Sequence, residues 1–320
     1  MKLRLFLNFF GPFFGLLLVV SLFSLSSEVR PYFLTGANFK IILTQSVVVA
    51  VCAIGMTLII ISGGIDLSVG SVVALSSVFG ATLISKSISL PLVVLATIFI
   101  GGGIGLLNGI LISKFKMMSF IVTLGMMGIA RGLAKWLAGN QAVNFPESPI
   151  NKIMFLDEPE QLLPLPHGVW IAIALAVLMA IVMRQTVFGR YAFAIGSNEM
   201  AARLSGIRVS LHKIFIYVLA GLLFGVAGLM QLSRLTQGDP TVAIGLELDV
   251  IAAVVIGGAS LSGGTGSILG SMIGALIMAT LRNGSNQMGW PTYMQEIIIG
   301  GVIVLAVALD KLRRKNFSGF

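Results

Sequence analysis

Apolar runs of 18 or more residues recur along the whole chain, each long enough to cross the hydrocarbon core of a bilayer as a helix. In lipid the backbone must satisfy its own hydrogen bonds within each span, which makes the helix the expected element. A soluble protein with an outsized core is the alternative, and it fails on charge. Only 10% of the residues are Asp, Glu, Lys or Arg, against about 25% in a soluble globular domain, too few to coat a surface. The predicted fold class is an all-α polytopic membrane protein. Its 38 glycines, many inside apolar runs, suit close helix packing in lipid.

Reading along the chain predicts about ten spans in one transmembrane domain, 1–320. They cover roughly 5–26, 41–62, a stretch ending near 85, 91–113, 119–139, 168–183, 213–232, 247–257, 267–281 and 294–309. The first run resembles a signal peptide, but it exceeds the usual apolar region of about 7–15 residues and no A-x-A-like site ends it, so it is read as a retained span. Polar sequence separates the spans. The longest polar segments are about 140–167, with Glu147, Asp157, Glu158 and Glu160, and about 185–212. Within the second, Asn198 to Leu204 carries a short amphipathic helical pattern closed by Gly206.

Basic residues orient the spans. The termini and the loops after spans 4 and 6 carry Lys2, Arg4, Lys114, Lys116, Arg184, Arg190, Arg203, Arg208, Lys213, Lys311, Arg313, Arg314 and Lys315, which is 13 of the 21 Lys and Arg residues. The opposite side carries Arg30, Lys40, Lys86, Lys152, Arg234 and Arg282, while Arg131 and Lys135 fall within span 5. By the positive-inside rule both termini and the 185–212 loop are cytoplasmic, and the 140–167 loop is outside. Net charge of +9 thus reflects topology rather than nucleic-acid binding. Span 8 is short; were it re-entrant, the C-terminus would flip, against the charge distribution.

Few residues carry chemistry. Asp66 sits in a glycine-rich break, Gly63-Gly64-Ile-Asp-Leu-Ser-Val-Gly70-Ser71. Two readings stand: an ionisable group at membrane depth with a function, or a cap on the next helix. Arg131 and Lys135, four apart, share a helix face; they line a polar path or snorkel to the interface. Asn108, Thr123, Asn283 and Asn286 serve interhelical bonding as well as substrate contact. Gly257-Gly258-Ala-Ser-Leu-Ser-Gly-Gly-Thr-Gly266 resembles the Gly63 break. Paired interruptions in two halves mark a transport path, and convergent glycine turns are the other explanation. The single cysteine, Cys52, has no partner for a disulfide or a metal site. No catalytic set and no G-x-x-x-x-G-K-[ST] phosphate loop is present.

Four stretches together resemble the permease subunits of bacterial ribose-type ABC (ATP-binding-cassette) sugar importers, a family that also includes autoinducer permeases. They are Ser62–Ser71; Gly105-Leu-Leu-Asn-Gly109 with Thr123-Leu-Gly125 and Arg131-Gly132; Gly189–Asn198 leading to Ala201-Ala-Arg-Leu-Ser-Gly-Ile207; and Gly257–Gly266 with Asn283-Gly284. One departure is visible: the family usually has proline before Phe-Ile-x-Thr-Leu-Gly, whereas Met118-Ser119 precedes Phe120 here.

The resemblance implies the importer-permease fold with some helices short or broken, in a bacterial inner membrane. A second permease subunit (a homodimer or a similar partner), a cytoplasmic ATPase, a periplasmic binding protein and a sugar substrate follow from it; a cofactor does not. It further implies that Asn198, Glu199, Ala201, Ala202, Arg203 and Gly206 form the ATPase-coupling loop, with small Ala201 and Ala202 allowing close approach. Gly63, Gly64, Asp66, Asn108, Thr123, Arg131, Gly257, Gly258 and Asn283 are the candidates for the translocation path or its hinges. The acids of the 140–167 loop are candidates for docking the binding protein. A stand-alone secondary transporter is the competing reading; it would need coupling acids within spans, and little is present beyond Asp66 and Glu296.

Overall fold

The computed structural model describes residues 2–156 and 164–315. Thirteen α-helices follow in order among them: α1 (Lys2–Ser24), α2 (Arg30–Phe33), α3 (Gly36–Ile61), α4 (Val69–Ser85), α5 (Leu90–Ser113), α6 (Ser119–Leu137), α7 (His167–Gln185), α8 (Val187–Ser197), α9 (Glu199–Leu204), α10 (Val209–Leu235), α11 (Leu246–Ile256), α12 (Ile268–Gln287) and α13 (Thr292–Lys315). Each of the ten predicted spans holds a helix. Five described helices, α3, α5, α6, α7 and α10, are long and apolar enough to cross a membrane. The protein is an all-α, multi-pass membrane protein; its described strands are one antiparallel pair, β1 (Val143–Asn144) with β2 (Gln237–Gly238), in the register Val143 to Gly238.

Helix α3 is the axis. Of its most apolar stretch, 89% is buried against α10, α12, α11 and α7 rather than facing outward. Glycine sets the closest contacts. Gly101 and Gly105 of α5 lie against Gly221 and Gly225 of α10, where a Cβ on Gly105 would overlap the Tyr217 carbonyl oxygen. Close approach of this kind replaces the hydrophobic drive that helices lack in lipid. Helices α11 and α12 form an antiparallel hairpin in which Ala253 meets Gly274 and Gly257 meets Gly270. Buried hydroxyls tie α12 to α3, with Thr57 Oγ1 and Ser271 Oγ 2.7 Å apart.

Several boundaries differ from those predicted. Helix α10 begins at Val209 and runs past Arg234 to Leu235, and α12 continues through Arg282 to Gln287. Polar residues continue α12 because neighbours satisfy them: Arg282 pairs with Asp249, and Gln287 Nε2 donates to Asn38 Oδ1 at 2.8 Å and to Asn283 Oδ1 at 3.2 Å. Helix α8 was not foreseen as separate from α9. At 11 residues, α11 rises only about 16 Å, roughly half the hydrocarbon core. The glycine-rich loop after it carries the chain on to the end of α3, where Gly264 N donates to Ile61 O at 2.9 Å.

The missing proline before Phe120 leaves the entry to α6 intact. Met118, at φ −63° and ψ 127°, holds the extended geometry that a following proline favours. Ser119 in the proline's place adds a contact, accepting from Ile65 N at 3.4 Å. The 140–167 segment is tied down in its described part: a 3-10 helix at Pro149–Ile153 buries Ile150, and Met154 N donates to Ser233 Oγ at 3.0 Å. Glu147 is exposed, while Asp157, Glu158 and Glu160 lie outside the described residues.

Candidate functional site

The exposed helix α9 stands at the end of the bundle where α3 finishes and α10 begins. Local sequence fixes both of its ends. Asn198 is the N-cap, its Oδ1 accepting from Ala201 N at 2.9 Å. At the other end Gly206 N donates to Arg203 O at 3.1 Å and Ile207 N to Ala202 O at 3.1 Å. Those two bonds make a Schellman motif with Gly206 in the left-handed position, φ +84°.

Side chains divide α9 into two faces. Ala202 is buried against Ile195 and Val209, so it seats α9 on the bundle and does not face outward. Ala201 is exposed. Met200 and Leu204, four residues apart, are 66% and 82% exposed. The sequence signal for this outward face is the apolar i, i+4 pair itself, rather than the charges or the small alanines.

Glu199 fastens α9 to α10. It takes Lys213 Nζ at 2.7 Å and Arg203 Nη2 at 3.1 Å. The Lys213 hydrogen bond, with Arg203 adding to it, holds its carboxyl below the usual glutamate value. A carboxylate whose pKa is depressed on folding stabilises at pH above its unfolded value and loses that contribution as pH falls through the folded one. Hydrogen exchange of α9 amides, corrected for intrinsic rates, is therefore expected to stay constant from pH 7 to about 5 and to rise only below the ordinary glutamate pKa of about 4.3. Loosening near pH 6 would contradict this attachment.

Beside α9 a cavity of about 540 Å³ is lined by Gly63, Gly64, Ser119, Glu199, Met200 and Lys213 among others, so the exposed Met200 also borders it. Behind its wall several path candidates come together. Asp66 is buried, its Oδ1 accepting from Ser68 N at 2.8 Å and Ser68 Oγ at 2.6 Å, and its Oδ2 from Asn108 Nδ2 at 3.3 Å. It thus holds the turn entering α4 rather than the amides of that helix's first turn. Thr123 Oγ1 lies 3.4 Å from Ile65 O. Asn108 Oδ1 is buried with no hydrogen-bond partner among the described residues.

The remaining candidates lie elsewhere. Near the other end of α6, Arg131 Nη1 donates to Pro240 O and Val242 O, both at 2.7 Å, pinning the loop before α11, whereas Lys135 is exposed. Their shared helix face therefore serves two different surroundings. Asn283 belongs to the Asn38–Gln287 network at the far end of α12. Gly257 packs on Gly270, and Gly258 takes φ +93° in the loop that follows α11. In-span Asp249 is buried and receives Arg282 Nη2 at 2.6 Å and Nε at 3.0 Å, a pair that no sequence signal linked.

The described helices form a bundle whose longest members can cross a membrane, with the capped, exposed α9 at one end of it. The family model for the branched-chain amino acid transport system / permease component matches residues 38–307. The chain belongs to this permease family. It is 40% identical over 306 residues to the ribose import permease protein RbsC of Escherichia coli (strain K12), covering 94% of each chain. To RbsC of Bacillus subtilis (strain 168) it is 41% identical, over 94% of this chain and 92% of the relative. The L-arabinose ABC transporter permease protein AraH of Azospirillum brasilense is 38% identical, over 92% of this chain and 86% of the relative. No solved structure matches the chain.

Proposed function

We propose that this chain is the permease subunit of an ATP-binding-cassette importer for a ribose-like monosaccharide. Two permease subunits, alike or similar, form the pathway; a separate cytoplasmic ATPase supplies the energy, and a periplasmic binding protein delivers the sugar. Both termini and α9 face the cytoplasm, in keeping with the excess of Lys and Arg on that side. The 140–167 segment faces the periplasm.

The observation that carries this reading is α9 itself. It is capped at both ends, seated by Ala202, tied to α10 through Glu199, and turns Met200 and Leu204 outward. A helix held this firmly passes a push on its exposed apolar face to the bundle as a rigid body. The secondary-transporter reading gains nothing from the two buried in-span acids. Asp66 is engaged by Ser68 and Asn108, and Asp249 by Arg282.

The test is reconstitution of the chain with its ATPase and binding protein in liposomes. Sugar uptake is expected to require ATP and the ATPase. Met200→Asp with Leu204→Asp is expected to weaken ATPase association by about 2 kcal/mol or more, the cost of losing central apolar anchors, and to abolish uptake while insertion persists. Uptake by the chain alone, or unchanged ATPase binding by the double variant, would refute the reading.

A further inference from the structure

Helix α9 packs chiefly on α8 and the start of α10, so its displacement needs another contact to reach the broken spans. That contact lies just before the Asn198 cap. A Cβ on Gly196 would overlap the Ile61 carbonyl oxygen and stand 2.7 Å from Gly264 N. The Gly264 amide donates to that same Ile61 carbonyl at 2.9 Å. On the other flank, a Cβ on Gly263 would stand 2.7 Å from Gly196 O and 3.0 Å from Gly63 Cα. Gly63 and Gly263 also hold φ of +82° and +83°, which glycine adopts without steric cost. Three stretches thus meet through the backbones of Gly63, Gly196 and Gly263: the end of α3, the end of α8, and the loop joining α11 to α12. The two glycine breaks that resemble each other in sequence, 200 residues apart at Gly63 and Gly263, are in direct contact here.

We propose that Gly63, Gly196 and Gly263 form a backbone joint that carries a displacement of α9 to both helix breaks at once, positioning them for transport. This rests on α9 being the ATPase docking element. Side chains absorb displacement by changing rotamer; backbone packed on backbone has no such freedom, and close-packed interiors transmit strain. The joint moves the α3–α4 turn that holds Asp66 together with the α11–α12 hairpin, so both halves of the chain respond to one input.

The experiment uses the assembled complex of permease, ATPase and binding protein. Gly263→Ala is compared with Gly245→Ala, which has a like backbone conformation, φ +80°, and no atom within 4 Å of the added Cβ. Gly263→Ala is expected to leave ATPase association within about twofold while solute moved per ATP hydrolysed falls by about tenfold, within the range of coupling between distant sites. Gly245→Ala is expected to leave both unchanged. Equal behaviour of the two variants, or a wild-type solute-to-ATP ratio in Gly263→Ala, overturns the joint.

If Gly263→Ala does not assemble, the wild-type complex decides. Exchange of the Gly264 amide is expected to differ by about fivefold or more between ATP-bound and nucleotide-free states, a local opening that responds to docking. Identical exchange overturns the proposal. Failure of the docking reading shows differently, as retained ATPase binding in the Met200→Asp/Leu204→Asp variant.

Discussion

Replacing Arg282 by alanine is expected to destabilise the protein by about 3 kcal/mol, the lower end of the cost of stripping a buried charge of its partner. Asp249 keeps only 7% of its side chain accessible, and Arg282 Nε and Nη2 both donate to one carboxylate oxygen, Oδ2. Removing the guanidinium leaves a carboxylate that water reaches poorly. The lower end applies because 39% of the Arg282 side chain is accessible, so the pair is partly screened. The reverse change, Asp249→Ala, is expected to cost less, since the freed guanidinium can hydrate. Asp249→Leu combined with Arg282→Met is expected to recover most of the loss, because apolar replacements remove both desolvation costs together. Thermal unfolding in detergent, followed by tryptophan fluorescence, gives the order. An Arg282→Ala protein as stable as the parent would show that the pair contributes nothing.

Gly206→Val is expected to give a protein that inserts and packs but couples ATP hydrolysis to uptake poorly. A Cβ added at this position meets no atom within 4 Å. The cost is conformational: a residue with a Cβ at φ +84° loses about 1–2 kcal/mol, and more if β-branched. Helix α9 has only six residues, and helices that short are not stable alone. Disrupting the Schellman bonds from Gly206 and Ile207 therefore unravels the end that presents Leu204. Uptake is expected to fall by about tenfold, the equivalent of 1.4 kcal/mol. Gly206→Asn, which tolerates the left-handed region, is expected to retain most activity. Unchanged uptake in Gly206→Val would remove α9 from the coupling path.

Both predictions concern helix ends and charges, yet they differed in how visible they were in the sequence. The C-terminal cap of α9 was legible because capping is local: Gly206 closes the amphipathic run that starts at Asn198, and Asn198 itself proves to be the N-cap. The outward turn of Met200 and Leu204, and the inward turn of Ala202, were not read, because they depend on which face the bundle covers. The Arg282–Asp249 pair was invisible for a related reason. Thirty-three residues separate its members, and only the α11–α12 hairpin brings them together.

Sequence alone establishes a polytopic helical membrane protein, the approximate positions of its spans, and the glycine that closes one short helix. These follow from hydropathy, span length and local backbone chemistry, each expressed within a window of residues. That two similar glycine breaks touch, that Gly196 lies between them, and that Arg131 holds the loop before α11 emerges only once the helices are packed. Contacts of that kind depend on which backbones approach. Glycine permits approach without specifying a partner, so its meaning appears only once the helices are packed.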